Sequence, residues 1–353
     1  MEVAGKKFLA ALPAPELRQW LTEHGEAPFR VRQIVDWIFR RGTPEPQRMT
    51  NLPETLRSAL SDGFHAPGSR IAERTAAPDG TEKLLIALAD GETVEMVLIP
   101  GADGRLTFCL STQVGCPVRC RFCASGRDGL IRNLAAGEML EEFLLGMQAA
   151  GRRPDNLVFM GIGEGLLNFD ELASALDALT DPERFGMSPR RITVSTSGYL
   201  PGMRRFAELG KEFTLAVSLH APEDELRARL IPDPLRFPVA EILAEADRYL
   251  ERAGRMVTLE YTLLRGVNDR RSDAEKLGRL AREHRAKVNL IAYNETGGEF
   301  SRPSRETIRS FAQTVAAAGA HVTVRAERGA PSAAACGQLR RFRRPSGVNT
   351  EHP

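Results

Sequence analysis

Residues 109–123 read Cys109-Leu-Ser-Thr-Gln-Val-Gly-Cys116-Pro-Val-Arg-Cys120-Arg-Phe-Cys123. Three of these thiols, Cys116, Cys120 and Cys123, stand at C-x3-C-x2-C spacing. Cys109 closes an apolar run just upstream, and Cys336 is the one other cysteine of the chain. Five is an odd number and three are too tightly grouped for ordinary bridging, so metal or redox use in a reducing compartment is a better reading than a disulfide scaffold. Three readings of the loop are open. Zinc asks for four ligands in a closed tetrahedron, and no fourth Cys or His stands at finger or ribbon spacing, although His220 or a distant Cys would complete the set. Unligated structural thiols are the second reading. The third is a cubane iron–sulfur cluster held by three thiolates, which leaves one iron without a protein ligand. Density and spacing favour the third.

Downstream of residue 105, strand-like and helix-like segments alternate. Strand candidates are Leu106–Ser111, Asn156–Met160, Arg191–Thr196, Phe213–Ser218, Val257–Thr262, Val288–Ile291 and His321–Arg325. Helical stretches between them include Gly137–Ala150, Val239–Arg252, Asp273–His284 and Ser304–Ala318. This alternation predicts an α/β fold with parallel strands, a doubly wound sheet or a full or partial barrel. In such folds ligands sit at the C-terminal ends of the strands. Here those ends carry the cysteine loop, Met160-Gly161-Ile162-Gly163-Glu164, Ser195-Thr196-Ser197-Gly198, Ser218-Leu219-His220, Asn294 and Cys336. Gly161-x-Gly163 is a weak nucleotide signal and also reads as a tight turn; beside a carboxylate, bare backbone suits the amino group of an amino-acid-like ligand. His220 alone reads as a buried histidine, and its company with Ser195, Ser218 and Asn294 favours a ligand-facing role.

Upstream, residues 1–62 read as helical. Leu17, Trp20 and Leu21 share one face, Val31, Ile34, Val35, Ile38 and Phe39 recur at helical spacing, and Leu56 and Leu60 mark a third helix after Pro53. Residues 63–104 read as a β-meander with turns at Asp79-Gly80 and Asp90-Gly91, in which Glu95 interrupts an apolar strand. A core follows over 105–339 and a basic tail over 340–353.

The 353 residues carry a net charge of only +2, so the whole-molecule field is weak. Nearly all of the basic residues are Arg, which reflects coding bias, phosphate recognition by the bidentate guanidinium, or both. Clusters lie at Arg30, Arg32, Arg40 and Arg41 and at Arg340, Arg341, Arg343 and Arg344. The first makes the helical part either an RNA-docking module or a packing cap with solvated arginines. No run of about 18 apolar residues and no secretory h-region exist, so the expectation is a cytoplasmic protein with no membrane contact.

An open iron on a three-thiolate cube can chelate the amino and carboxylate groups of S-adenosylmethionine (SAM). One electron then breaks a sulfonium C–S bond and releases a carbon radical. Taken together, Phe108-Cys-Leu-Ser-Thr-Gln-Val-Gly-Cys-Pro-Val-Arg-Cys-Arg-Phe-Cys123, Arg132-Asn-Leu134, Gly161-Ile-Gly-Glu164, Thr193-Val-Ser-Thr-Ser-Gly198, Ser218-Leu-His-Ala-Pro222 and Ala334-Ala-Cys-Gly-Gln-Leu339 resemble the dual-specificity radical SAM RNA methyltransferases. Phe29-Arg-Val-Arg-Gln-Ile34 and Met49-Thr-Asn-Leu52 extend the resemblance over almost the whole chain, and all five cysteines fall at family positions.

The resemblance implies a partial (β/α)6 radical SAM barrel with a small N-terminal helical domain and a β-meander extension. It implies a [4Fe-4S] cluster on Cys116, Cys120 and Cys123, and SAM contacts at Gly163, Glu164, Ser195, Ser218, Leu219, His220 and Asn294. Family chemistry methylates C2 of adenosine in large-subunit ribosomal RNA and in tRNA with two SAM molecules. Cys336 takes a methyl from the first by displacement. A deoxyadenosyl radical from the second removes hydrogen from that S-methyl group, and the methylene radical attacks C2 to form a protein–RNA crosslink. Cys109 resolves the crosslink through a transient disulfide with Cys336, with Glu95 as proton acceptor. Implied partners are the RNA and an electron donor such as flavodoxin or ferredoxin, with the chain acting as a monomer.

Departures from the family pattern are Gly165 where Pro is usual, Glu295 where Pro follows the Asn, and Gly329-Ala-Pro331-Ser332 before the Cys336 loop. They bear on substrate choice and on the mobility of that loop more than on the cluster. A sister branch that methylates C8 and confers antibiotic resistance uses the same five cysteines. A radical enzyme acting on a small molecule or protein would need neither Cys336 nor the basic termini, and a non-catalytic metal-containing RNA-binding protein would need neither Cys109 nor Cys336.

Overall fold

A computed structural model describes residues 7–65, 67–232, 236–325, 328–329 and 333–340. Pro331, Ser332, Arg341, Arg343 and Arg344 lie outside the described residues. Near the start, helix α1 (Ala14–Glu23) follows Pro13, whose restricted φ suits a helix entry. Helix α2 (Arg30–Val35) does not run straight through Phe39; it widens into a π turn over Asp36–Arg40, closed by the Arg41 amide on the Asp36 carbonyl. Trp37, on that turn, donates its indole N–H to Asn51 at 2.6 Å and lies under the Arg41 guanidinium at 4.2 Å. Helix α3 (Glu54–Gly63) begins behind Pro53. Leu17, Leu21, Ile34, Ile38, Leu56 and Leu60 are buried in one apolar cluster that continues to Phe108, Leu157 and Leu215. At about 1.5–3 kcal/mol per buried large aliphatic side chain, that shared core fastens the helices onto the sheet.

Strands β1 (Arg70–Ala76), β2 (Glu82–Ala87) and β3 (Thr93–Pro100) form the meander. Gly80 and Gly91 take φ of 80° and 85° at its turns, and Asp79 and Asp90 each accept the amide two residues on at 3.0 Å. The meander is continuous with the core: β3 pairs antiparallel with β4 (Leu106–Cys109), setting Val97 opposite Cys109. A short hairpin, β5 (Gln113–Gly115) and β6 (Leu130–Asn133), brackets the cysteine loop.

Helix α4 (Ala136–Ala150) leads to β7 (Asn156–Phe159), α5 (Phe169–Thr180) to β8 (Ile192–Thr196), and α6 (Leu200–Glu208) to β9 (Thr214–Ser218). Helices α7 (Asp224–Leu230) and α8 (Val239–Ala253) precede β10 (Thr258–Leu263); α9 (Arg271–Glu283) precedes β11 (Lys287–Ala292), and α10 (Arg305–Ala317) precedes β12 (His321–Val324). The sheet order is β1-β2-β3-β4-β7-β8-β9-β10-β11-β12, with parallel pairing from β4 onward. Since β1 and β12 end the order, the barrel stays open. Strand β12 adds a seventh parallel strand to the six of a (β/α)6 unit.

Leu215, Ala216 and Val217 of β9 are all fully buried, as expected of a strand covered on both faces. Parallel connectivity brings every strand's C-terminal end to one rim, and that rim holds the site. Among the described residues no helix is long and apolar enough to cross a membrane.

Candidate active site

Placement of the cysteine loop begins with a buried polar knot behind β4. The Ser111 amide donates to both oxygens of Glu142 at 3.1 Å, and the Ser111 hydroxyl donates to the Glu95 carbonyl at 2.8 Å. The Ile162 amide donates to the Ser111 hydroxyl at 3.0 Å, and Asn168 donates to the Thr112 and Leu134 carbonyls. Burial pushes the Glu142 carboxyl far above its ordinary range, and the Ser111 amide opposes the shift. This knot explains the glycines after β7. A Cβ on Gly161 would come within 2.6 Å of the Leu110 carbonyl, and one on Gly163, at φ 118°, within 2.6 Å of the Thr112 hydroxyl. Close backbone packing thus requires both glycines whether or not a ligand uses them.

The loop itself is tied at several points. Cys116 donates its amide to the Gly129 carbonyl at 3.0 Å, Arg121 to Leu230 at 3.0 Å, and Ala124 to Gly337 at 2.8 Å. Ser125 donates its hydroxyl to the Leu339 carbonyl at 2.7 Å. The last two bonds clip the segment that carries Cys336 onto the cysteine loop. A cavity of about 970 Å³, its mouth included, opens at the rim. Cys116, Cys120 and Cys123 line it together with Gly163, Glu164, Ser195, Ser218, His220 and Cys336.

Glu164 is buried, and its carboxylate accepts the amides of Ser197 at 2.6 Å and Leu166 at 3.3 Å. Burial raises its carboxyl, and the Ser197 amide opposes the shift. The side chain therefore also organises the loops after β7 and β8. Leu219 sits in the main core with its amide on the Glu260 carbonyl, so that run sends only Ser218 and His220 into the cavity.

His220 has φ 57°, and its Nδ1 accepts the Thr262 amide at 3.0 Å, which leaves the ring proton on Nε2. Phe122 packs edge-on at 4.7 Å. Burial, with a smaller push from Arg227, lowers its pKa to about 3. An unfolded chain would bind that proton near pH 6.5, so stability contributed by neutral His220 is present above that value. It drains as pH falls toward 3, at about 1.4 kcal/mol per pH unit at the steepest. Thermal melts from pH 7 to 4 are expected to fall more steeply for the native chain than for His220→Gln, whose amide oxygen can still accept from Thr262.

Cys336 is exposed as a residue and lines both this cavity and a neighbouring one of about 380 Å³ that also contains Asn294. Asn294 donates to the Cys336 carbonyl at 3.1 Å, and its own buried carbonyl oxygen has no partner. Cys336 shares the cavity with Arg325, Cys123 and Glu260; desolvation raises its thiol, and the Arg325 charge opposes the shift. Cys109 is buried behind it, within electrostatic reach of Cys336, and is pushed up to about 12, burial being the main cause. All five cysteines are free thiols.

Glu95 does not face the cavity. It is fully buried, paired with Lys83 at 2.9 Å and accepting the Arg340 amide at 2.7 Å, while Lys83 also donates to the Ala333 carbonyl at 3.3 Å. Burial raises its carboxyl, and the Lys83 hydrogen bond opposes the shift. The pair anchors both ends of the Cys336 segment to the meander. Arg325 and Glu260 line the cavity without having been singled out from sequence. Glu260 carried a usable signal, an acid interrupting an apolar strand just as Glu95 does.

The donor set fits an iron–sulfur cube. Each thiolate of a cube binds a different iron, so its ligands stand wider apart than those of a single ion. Cys116, Cys120 and Cys123 line the cavity together, with Cys120 in electrostatic reach of the other two. The Ser195 and Ser218 hydroxyls and the His220 imidazole line the same cavity.

A parallel barrel with a three-thiol loop at its rim is the architecture of the radical SAM superfamily, whose sequence pattern matches residues 110–278. The pattern of the ribosomal RNA large subunit methyltransferase N-terminal domain matches residues 9–65. The chain belongs to the RlmN-type dual-specificity RNA methyltransferases. A probable dual-specificity RNA methyltransferase RlmN of Thermosynechococcus vestitus is 44% identical over 93% of this chain and 96% of its own length. That of Akkermansia muciniphila is 41% identical, covering 94% and 95%. A crystal structure of a radical SAM methyltransferase from Sphaerobacter thermophilus superposes with a TM-score of 0.89 at 42% identity, covering 94% of this chain and 99% of that one.

Proposed function

We propose that this chain methylates C2 of adenosine in large-subunit ribosomal RNA and in tRNA, carrying the methyl group on Cys336. The observation that supports it is the meeting of Cys336, on a clipped segment, with the three-thiol loop at one cavity, and the packing of Cys109 with Ala334 and Leu339 of that same segment. C2 of adenine is an electrophilic amidine carbon, so transfer of a methyl cation to it does not work, and a carbon radical is required. Cys116, Cys120 and Cys123 are the residues to hold a [4Fe-4S] cluster, which when bound supplies the single electron that cleaves SAM.

The remaining work falls to this chain's own groups. Ser195, Ser218, the His220 Nε2–H and Glu164 line the space in which SAM is oriented. The Cys336 thiolate takes the methyl of one SAM, with S-adenosylhomocysteine leaving with the C–S electron pair, and presents it to the RNA base. Glu95, buried outside the cavity and ion-paired with Lys83, takes the proton released from C2 by way of water. The Cys109 sulfur then bonds to that of Cys336 and frees the product, and an external reductant restores both thiols. The enzyme acts as a cytoplasmic monomer supplied with electrons by a protein such as flavodoxin or ferredoxin.

Substrate RNA carrying deuterium at C2 or at C8 of the target adenosine tests the reading. Loss of the C2 label with retention at C8 is the expected result. Loss from C8 reassigns the chain to the other regiochemistry, and loss from neither ends the proposal.

The RNA-docking face is the N-terminal groove lined by Arg18, Phe29, Arg32 and Arg40, where Phe29 is 57% exposed and the Arg40 side chain 75%. Exposed guanidinium groups beside an exposed ring suit phosphates and an unstacked base. Binding is expected to weaken linearly in log salt. Arg32→Ala and Arg40→Ala should each reduce the slope by about one, read by titration at several salt concentrations.

A further inference from the structure

The cysteine loop has a side that does not line the cavity, and part of that side is apolar where solvent meets it. We propose that strand β6, with Leu130 and Ile131 at its centre and Arg119 and Arg127 at its rim, is the docking surface for a small acidic electron-carrier protein. The inference rests on the proposed radical chemistry, which needs one electron from outside, and names where that electron enters.

Strands β5 and β6 form a two-stranded sheet of their own, apart from the ten-stranded one. Gln113, Val114 and Gly115 of β5 are all buried, whereas Leu130 and Ile131 of β6 are 42% and 47% exposed. Successive side chains of a strand point to opposite faces, so β6 shows solvent an aliphatic group on each. Of the large apolar side chains exposed among the described residues, only these two adjoin, and neither lines the cavity. Arg119 lays its guanidinium over the turn before β6: a Cβ on Gly129 would come within 2.6 Å of Arg119 Nη2. Arg127 leaves the same turn and donates to the Thr296 carbonyl. Both arginines are exposed, and among the described residues neither has an ion-pair partner. Asp128 is the sole acid between residues 119 and 131, against Arg119, Arg121 and Arg127, and Arg121 pairs with Glu299 at 2.5 Å.

Charge and position choose the occupant. Apolar groups rimmed by arginines suit a protein of opposite charge, which such a field steers into contact. An RNA strand asks for exposed rings on which bases stack, and this stretch offers none, since Phe122 is buried. Electron-transfer encounters bury less than about 1,200 Å² in total, so a few side chains suffice for one where a permanent subunit would need more. Leu130 stands opposite Gly115 in the hairpin, and the Cys116 amide donates to the Gly129 carbonyl at 3.0 Å. One hydrogen bond therefore joins the start of β6 to the backbone of a residue proposed to hold the cluster. Electron transfer falls off steeply with distance, which favours entry at this thin layer of chain. The carrier is oxidised by one electron and the cluster reduced by one; at the surface no bond forms or breaks and no proton moves.

Reduced flavodoxin, an acidic flavin protein, is the probe. Its affinity for the full chain is measured by biolayer interferometry, and its rate of reducing anaerobically reconstituted protein by stopped flow, beside dithionite, a small reductant that needs no docking. Leu130→Ser/Ile131→Ser is expected to weaken flavodoxin binding and to slow reduction at sub-saturating flavodoxin by about tenfold, with dithionite reduction and RNA affinity unchanged. Arg127→Glu should slow association at low salt and match the native chain at about 0.5 M salt, a dependence that a purely structural defect does not produce. Native-like flavodoxin binding and reduction in both variants overturn the inference, as does a native chain that binds no flavodoxin. A parallel fall in dithionite reduction, which marks damage to the loop, or a fall in RNA affinity with flavodoxin binding intact, which gives the patch to RNA, overturns it as well. Native protein that binds flavodoxin through this patch yet methylates no RNA overturns the functional reading instead, and the binding result stands apart from it.

Discussion

Cys336→Ala protein is expected to fold, to hold its cluster and to bind RNA, yet to yield no methylated product. Cys336 is an exposed residue outside the apolar clusters, so its removal should change stability by no more than about 0.5 kcal/mol. The effect on turnover is of another order. Among the described residues no second thiol outside the three-thiol loop lines the cavity: Cys109 is buried and absent from its lining. Loss of a covalent carrier removes a step rather than weakening one, and activity should fall by at least about 10³-fold. Quantitation of methyladenosine in RNA, with peptide mass spectrometry for a methyl on native Cys336, checks this. Turnover by the alanine variant at even a tenth of the native rate would end the carrier role.

Cys109→Ala should fail differently. Chemistry up to the bond between Cys336 and the base proceeds, but the sulfur that releases it is gone. A covalent protein–RNA adduct is expected to accumulate to about one per polypeptide in a single burst, visible as a gel shift that survives denaturation and disappears on nuclease treatment. Cys109 packs with Val97, Ile162, Ala334 and Leu339, so its truncation leaves a small void worth about 1–2 kcal/mol. That loss lowers the melting temperature without accounting for a trapped adduct. The double variant Cys109→Ala/Cys336→Ala should form none. Free turnover by Cys109→Ala would assign the releasing role elsewhere.

Much of the barrel was legible because strand and helix periods are local properties of the chain. The seven strand candidates each coincide with an observed strand to within a few residues, and the cysteine, serine, histidine and Cys336 positions meet at one rim because parallel connectivity sends every strand end there. The glycines after β7 pointed to a ligand or a tight turn; the structure adds that packing against Leu110 and Thr112 demands them. The helix expected through Phe39 does run there, but its last turn widens to a π turn on which Trp37 meets Asn51, a distant partner that periodicity does not register.

The thiol spacing and the alternation of strands and helices were determined by sequence alone, since both depend on residues within a turn or two of one another. Tertiary structure decided which charges meet. Arg325, Cys336 and Glu260 come to line one cavity, and Lys83 lies against Glu95 and the chain at Ala333, although none of these is adjacent in sequence. Such pairings follow from which strand ends the closing sheet brings together. Burial at these meeting points raises the Cys109 and Cys336 thiols and the Glu95 and Glu260 carboxyls alike, and the basic neighbours oppose the shift.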